Sequence, residues 1–316
     1  MKTALICGIS SQDGAYLSKL LLEKGYSVVG TSRDAQMSSF GNLRLLGIKE
    51  QIKLVSMALT DFRSVLQVLT KVRPDEVYNL AGRSSVGLSF EQPVETLESI
   101  AIGTLNLLEA IRFIDAPIRF YDAGSGECFG QTPERGADEE TPFRPRSPYA
   151  VAKVTAHWEV ANYRDAYGLF ACSGILFNHE SLFRPERFVT QKIVKAAKRI
   201  AEGDDEMLLL GNLEISRDWG WAPEYVEAMY LMLQQDNPDD FVIATGQSNS
   251  LEAFVAIAFD MVGLDWRKHV TIDESLYRPA EGLLSKGCAD KAKIKLGWAT
   301  KSKMPDVIRK MLQFNE

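Results

Sequence analysis

The chain is poor in cysteine and histidine and has no excess of positive charge, and each shortage removes a class of function. Its four cysteines, Cys7, Cys128, Cys172 and Cys288, form no CxxC pair and no zinc-finger spacing. Reduced, buried thiols in a cytoplasmic protein are therefore expected, not a disulfide framework. His157, His179 and His269 stand alone, with no HExxH-like cluster, so no metal site is expected. A net charge of −6 argues against a nucleic-acid footprint, though it leaves room for local arginines around an anionic ligand. No apolar run is long enough to span a bilayer, so no membrane partner is expected. The first apolar run stops early at a turn, and no signal peptide is read there. Repeats, low-complexity tracts and linkers are also missing.

What is present is an alternation of apolar strand-like runs with amphipathic helix-like stretches. "TALICGI", "YSVVGTSR", "IKLVSM", "EVYNLA" and "IRFYDAG" read as strands. "DGAYLSKLLLEKG", "DFRSVLQVLTKV" and "ESIAIGTLNLLEAIRFI" read as the helices between them. This order implies an α/β fold with a Rossmann-like, doubly wound parallel sheet and ligands at the carboxyl ends of its strands. Beyond about residue 178 the alternation weakens to three helices, "FVTQKIVKAAKRIAEG", "EYVEAMYLMLQQ" and "LEAFVAIAFDMVG", with one strand, "DFVIATG". The expected organisation is a dinucleotide-binding domain over 1–178 and a smaller, mostly helical substrate lobe over 179–316. Elements near 212–247 are expected to return to the first domain, and the substrate pocket to lie between the two parts.

The turn after the first strand has small residues at Gly8, Ser11 and Gly14. The dinucleotide fingerprint asks for glycine at all three: a tight turn, a close approach of backbone to pyrophosphate, and close packing of helix on strand. Serine at the middle position is small and can donate to phosphate, and the helix starting near Asp13 offers free N–H groups to an anion. After the second strand, "VVGTSRD" places Arg33 where many NAD enzymes carry a carboxylate for the ribose hydroxyls. A guanidinium there suits a 2′-phosphate, so NADP is favoured over NAD, with Asp34 next door working against it.

"SPYAVAK" puts Tyr149 and Lys153 on one helix face, where an ammonium favours the phenolate. Such a tyrosine can take a hydroxyl proton as hydride leaves the carbon. Ser125 follows the strand "IRFYDAG" and can bond the same substrate oxygen. Together with the glycine turn, this constellation indicates a short-chain dehydrogenase/reductase. Glu127, two residues beyond Ser125 in "GSGECFG", has no use in a simple alcohol dehydrogenase. It suits a dehydratase, where oxidation of a sugar at C4 acidifies C5–H for a base that can also help water leave from C6.

Over nearly its whole length the chain resembles the GDP-mannose 4,6-dehydratase family of extended short-chain dehydrogenases. The runs that carry the resemblance include "GISSQDGAYLSKLLLEKGY", "PDEVYNLAG", "VGLSFEQP", "TPFRPRSPYAVAK", "NYRDAYGLFACSGILFNHES" and "GNLEISRDWGWAPEYVEAM". The resemblance implies a lyase that converts GDP-mannose to GDP-4-keto-6-deoxymannose for deoxysugar nucleotide synthesis. Ser125, Glu127, Tyr149 and Lys153 form its implied catalytic group. The implied cofactor contacts are Gly8, Ser11, Gln12, Asp13, Gly14, Arg33, Leu59, Leu80 and Ala81, with Tyr149 and Lys153. The implied sugar-nucleotide contacts are Ser84, Glu127, Asn178, Val189, Lys192, Arg217, Arg278 and Glu281. Arg217 and Arg278 would clamp the diphosphate and Glu281 would meet the ribose. A homodimer built from the helices "ESIAIGTLNLLEAIRFI" and "SPYAVAKVTAHWEVANYRDAYG" is implied too. A tetramer stays open, because the loop after the second strand keeps only Arg33 of the family's arginine pair. Ala58 replaces the family's aspartate near the adenine, Arg83 a glutamine, and Gly126 a serine beside Glu127. These last two leave a related substrate, such as a GDP-linked manno-heptose, as an alternative, alongside a sugar-nucleotide epimerase or 4-keto reductase. A catalytically silent nucleotide-binding protein is the reading from another class, and retention of Ser125, Tyr149 and Lys153 speaks against it.

Overall fold

The computed structural model describes residues 1–313. Strands β1 (Thr3–Cys7), β2 (Ser27–Ser32), β3 (Lys53–Ser56), β4 (Glu76–Asn79), β5 (Arg119–Ala123) and β6 (Ala171–Leu176) belong to one sheet. Its seventh strand lies much later in the chain, at Phe241–Ile243, and the spatial order is that late strand, then β6, β5, β4, β1, β2 and β3. Every pairing is parallel. Parallel strands need covered faces, and the residues of β1, β4 and β6 are accordingly apolar or buried almost throughout.

Helices α1 (Gln12–Glu23), α2 (Phe62–Val72), α3 (Gly103–Ile114), α4 (Pro148–Tyr167), α5 (Val189–Ala201), α6 (Ala222–Met232), α7 (Leu251–Asp260) and α8 (Met304–Leu312) are the longer ones. Leu17, Leu21 and Val28 meet Tyr225, Met229 and Phe241 on one face of the sheet. Val65, Leu69, Leu107, Leu108 and Val160 pack on the other. A separate core joins Ile193, Ala197, Phe254, Phe259, Val307 and Ile308 under Trp219, bringing α5, α7 and α8 together.

The α/β architecture agrees with the reading of the sequence, with three differences. Strand β6 was not anticipated. "ACSGIL" is buried on both faces, so it lacks the alternation that marks a half-buried strand, and Gly174 interrupts it. A Cβ at Gly174 would sit 2.4 Å from the Tyr121 hydroxyl oxygen, which explains the glycine. The stretch expected as one helix from Glu98 starts as a wide π turn, Glu98–Ile102, before α3. Two short helices, Val86–Glu91 and Pro93–Leu97, precede it. No helix among the described residues is long and apolar enough to cross a membrane.

Candidate active site

The order of the strands reverses between β1 and β4, and the turn after β1 opens at that point. Gly8 there has φ +80, and a Cβ on it would lie 2.8 Å from the Leu80 carbonyl oxygen and 2.9 Å from Ala81 Cα. Both Leu80 and Ala81 follow β4, so the glycine lets the two strand ends close on one crevice. Gly14 serves helix packing: its Cβ would stand 2.6 Å from the Gly8 carbonyl oxygen. Ser11 is the N-cap of α1, its hydroxyl oxygen accepting the Gly14 N–H at 3.0 Å. The Ser11 proton is left to donate. Among the described residues, the N–H groups of Gln12 and Asp13 meet no backbone acceptor.

The side chains of Gln12 and Asp13 point elsewhere. Gln12 donates to the His179 carbonyl and accepts from the Ser181 hydroxyl, while the Asp13 carboxylate receives Gln12 Nε2 and His179 Nε2. Their offer to a ligand is therefore backbone N–H. Arg33 is exposed at the end of β2. Asp34 beside it accepts the backbone N–H groups of Gln36 and Met37, a turn-forming use that leaves Arg33 unpaired with it. Leu59 packs beneath Gly103, and its carbonyl accepts from Asn106. These features fit a dinucleotide: a crevice at the switch point, a helix N-terminus with free donors and a guanidinium at the ribose end.

Ser125 and Glu127 leave β5 through Gly124, and Tyr149 and Lys153 stand in the first turns of α4, where Ser147 caps the helix and Pro148 starts it. Lys153 Nζ donates to the Ala123 carbonyl at 2.6 Å, which fixes the ammonium against the strand end. The Ser125 hydroxyl oxygen accepts the Glu127 N–H at 3.2 Å and lies close enough to Tyr149 to lower the pKa of its phenol. Ser125, Tyr149 and Lys153 are all buried. Burial pushes the Tyr149 phenol up, and the Lys153 ammonium and the Ser125 hydroxyl pull it down by less. The expectation that the ammonium favours the phenolate is right in sign, but desolvation dominates.

Glu127 lines a cleft with Arg217, Arg278, Glu281 and Arg146. The Glu127 carboxylate accepts no hydrogen bond among the described residues. Arg217 is buried in strand Ser216–Arg217, held by the carbonyls of Ser216 and Gly282 at 3.0 Å each and by Glu281 Oε1 at 3.2 Å. Burial works against its cation, and the carboxylates of Glu127 and Glu281 offset part of that. Asp218 anchors this segment by accepting Thr245 N–H, Thr245 Oγ–H and Gly246 N–H. Arg278 lies 3.5 Å from the same Glu281 oxygen. Glu281 thus sits between the two arginines expected to clamp a diphosphate.

The other expected sugar-nucleotide contacts, Ser84, Asn178, Val189 and Lys192, do not line this cleft. Ser84 is exposed, Asn178 and Val189 begin the strand Asn178–Glu180 and helix α5, and Lys192 Nζ donates to the Leu209 carbonyl. Arg83 bonds Gln92 at the end of the short helix Val86–Glu91. A Cβ on Gly126 would meet the Phe177 ring at 3.1 Å, a tight contact that a glycine relieves. Arg146 and the apolar pair Val86 and Phe90 were missed by the reading of the sequence. Arg146 stands three residues before Tyr149 in "RPRSPY", a spacing that could have marked it.

A family model described as GDP-mannose 4,6 dehydratase matches residues 5–311. GDP-mannose 4,6 dehydratase 1 of Arabidopsis thaliana is 49% identical, over 98% of this chain and 89% of its own. Among solved structures, the DesIV dTDP-glucose 4,6-dehydratase of Streptomyces venezuelae with NAD and TYD bound superposes with a TM-score of 0.87 at 20% identity, covering 98% of this chain and 96% of that one. RMD of Pseudomonas aeruginosa complexed with NADPH gives 0.82 at 21% identity, covering 99% and 98%. At such identities these two establish the fold.

Proposed function

The chain belongs to the GDP-mannose 4,6-dehydratase family, and we propose on that premise that it removes water from GDP-mannose to give GDP-4-keto-6-deoxymannose. It is a hydro-lyase of GDP-sugars. The observation that carries the reading is the Glu127 carboxylate, which accepts no hydrogen bond among the described residues, in the same cleft as Arg217 and Arg278, one turn of chain from the Ser125–Tyr149–Lys153 group.

Tyr149 takes the C4 hydroxyl proton, with Ser125 holding that oxygen and Lys153 offsetting the negative charge on the phenolate. Glu127 accepts the C5 proton and returns it to the C6 hydroxyl, which leaves as water. Arg217 and Arg278 exchange the Glu281 carboxylate for diphosphate oxygens, a geometry suited to guanidinium forks. A nicotinamide dinucleotide is the implied cofactor. It would be held by the N-terminus of α1 and by the Gly8, Leu80 and Ala81 crevice, and when bound it supplies the acceptor and then the donor of the hydride. Arg33, exposed and unpaired with Asp34, supports NADP over NAD. A homodimer formed by α3 and α4 completes the reading.

Incubation with GDP-mannose and NADP should give a product lighter by one water, with no net reduction of the dinucleotide. A product of unchanged mass would mark an epimerase. Water loss confined to a GDP-linked heptose would move the substrate.

A further inference from the structure

His179 lies outside the catalytic cleft, in the strand Asn178–Glu180, yet it touches the first turn of α1. Its Nδ1 is 2.7 Å from the Phe177 carbonyl oxygen, and its Nε2 is 2.9 Å from Asp13 Oδ2. A carbonyl oxygen only accepts, and so does an ionised carboxylate, whereas a neutral imidazole carries one N–H. Both contacts are satisfied together only if the ring holds two protons or Asp13 holds one. Asp13 Oδ1 already accepts from Gln12 Nε2, and a carboxylate in the first turn of a helix is favoured by the helix dipole. The ionised pair is therefore the better solution. Burial is the largest single effect and opposes both charges, but the partner's charge and hydrogen bond, helped by Gln12 and Arg184 for Asp13 and by the Phe177 carbonyl for His179, together hold Asp13 low and His179 high.

Arg184, itself paired with Glu180, adds positive charge nearby that favours the Asp13 carboxylate and opposes the imidazolium. The phenols of Tyr16, Tyr121 and Tyr225 are pushed up by burial, Tyr16 to about 12, and stay neutral. Tyr225 stacks on the imidazole at 4.6 Å.

We propose that His179 is a positioning residue whose imidazolium cancels the Asp13 charge at the anion-binding end of α1, so that a dinucleotide pyrophosphate can settle there. This rests on the reading of α1 as the dinucleotide helix. A bare carboxylate suits the terminus of an empty helix but repels a second anion at the same place. The neutral amide of Gln12 already ties α1 to His179 and Ser181. What the ion pair adds to that tie is charge compensation.

The test combines nitrogen-15 histidine NMR of the cofactor-free protein with NADP dissociation constants. At neutral pH one of the three imidazoles should carry protons on both ring nitrogens, and Asp13→Asn should convert it to a neutral ring. His179→Gln should weaken NADP roughly tenfold or more, the scale of one unscreened charge a few ångströms from another. Asp13→Asn should bind NADP more tightly than His179→Gln does, and the double variant should recover most of what His179→Gln loses. A neutral His179 in the wild-type spectrum overturns the proposal even if His179→Gln does not fold. So does a folded His179→Gln that binds like wild type, or a double variant no better than His179→Gln. A wild-type protein that binds no dinucleotide defeats the cofactor reading instead, while the spectrum still decides the protonation.

Discussion

On the proposed reading Glu127 and Tyr149 serve different bonds of one substrate, so substitution should separate them. Glu127→Gln keeps the size and the hydrogen-bonding capacity of the side chain and loses the base. Loss of a positioned general base costs on the order of a hundred- to ten-thousand-fold in rate. With GDP-mannose and NADP in a single turnover, this variant should show reduced nicotinamide absorbance with little 6-deoxy product. Tyr149→Phe should abolish even that absorbance, because its proton acceptance belongs to the first half of the reaction. Normal product formation by Glu127→Gln would remove Glu127 from the role of base. At this scale the residue types were legible, since YxxxK, the serine and the glutamate are local in sequence. The position of Glu281 between Arg217 and Arg278 was not, because strand Ser216–Arg217 and residues 278–281 meet only in three dimensions.

Two helices carry predictions of their own. In α1, Gly14→Ala would bring a methyl group 2.6 Å from the Gly8 carbonyl oxygen, and backbone would have to move. Such overpacking costs roughly 1–3 kcal/mol, so calorimetry should show a lower Tm and titration a weaker affinity for the dinucleotide. An unchanged Tm would mean that α1 is free to shift. In α4, Glu159 has a buried Oε2 with no hydrogen-bond partner, and burial, with Asp122 nearby, pushes its carboxyl up to about 8. The folded protein therefore retains this proton between the ordinary glutamate value of 4.5 and about 8, where the unfolded chain has lost it. Its contribution to stability is full below that window and is lost as pH rises through it. Glu159→Gln should raise Tm at mildly alkaline pH and change it little at acidic pH. An equal shift at both would show that the carboxyl is not titrating in the folded state.

A group of exposed apolar side chains lies on helices that pack on each other. Val151 and Trp158 lie seven residues apart on the outward stripe of α4, and Val94, Leu97, Ile102 and Phe113 are exposed on the neighbouring segment from Pro93 to Ile114. Side chains of this kind gain about 1.5–3 kcal/mol each when fully buried, and a two-fold pairing of the same face covers both copies at once. Trp158→Glu should leave a folded chain with the light-scattering mass of a single copy, whereas the unaltered chain should scatter as a dimer. A monomer in the unaltered protein would leave this face without the partner proposed for it.

The sequence by itself determined the alternating order of the first half of the chain, the glycine turn and the residue types of the candidate catalytic group. Each of these is written in short-range periodicity or in spacings of a few residues. Tertiary structure decided what depends on meetings across the chain. Strand β6, buried on both faces, carries no alternation to read, and the seventh strand joins the sheet from more than sixty residues beyond it. Asp13 gained a cationic partner in His179, a contact across 166 positions. Gly126 proved to be a seat for the Phe177 ring. The Tyr149 phenol shows the same division: its ammonium neighbour is legible four residues away, but the burial that outweighs the ammonium exists only once the sheet and α4 have closed over it.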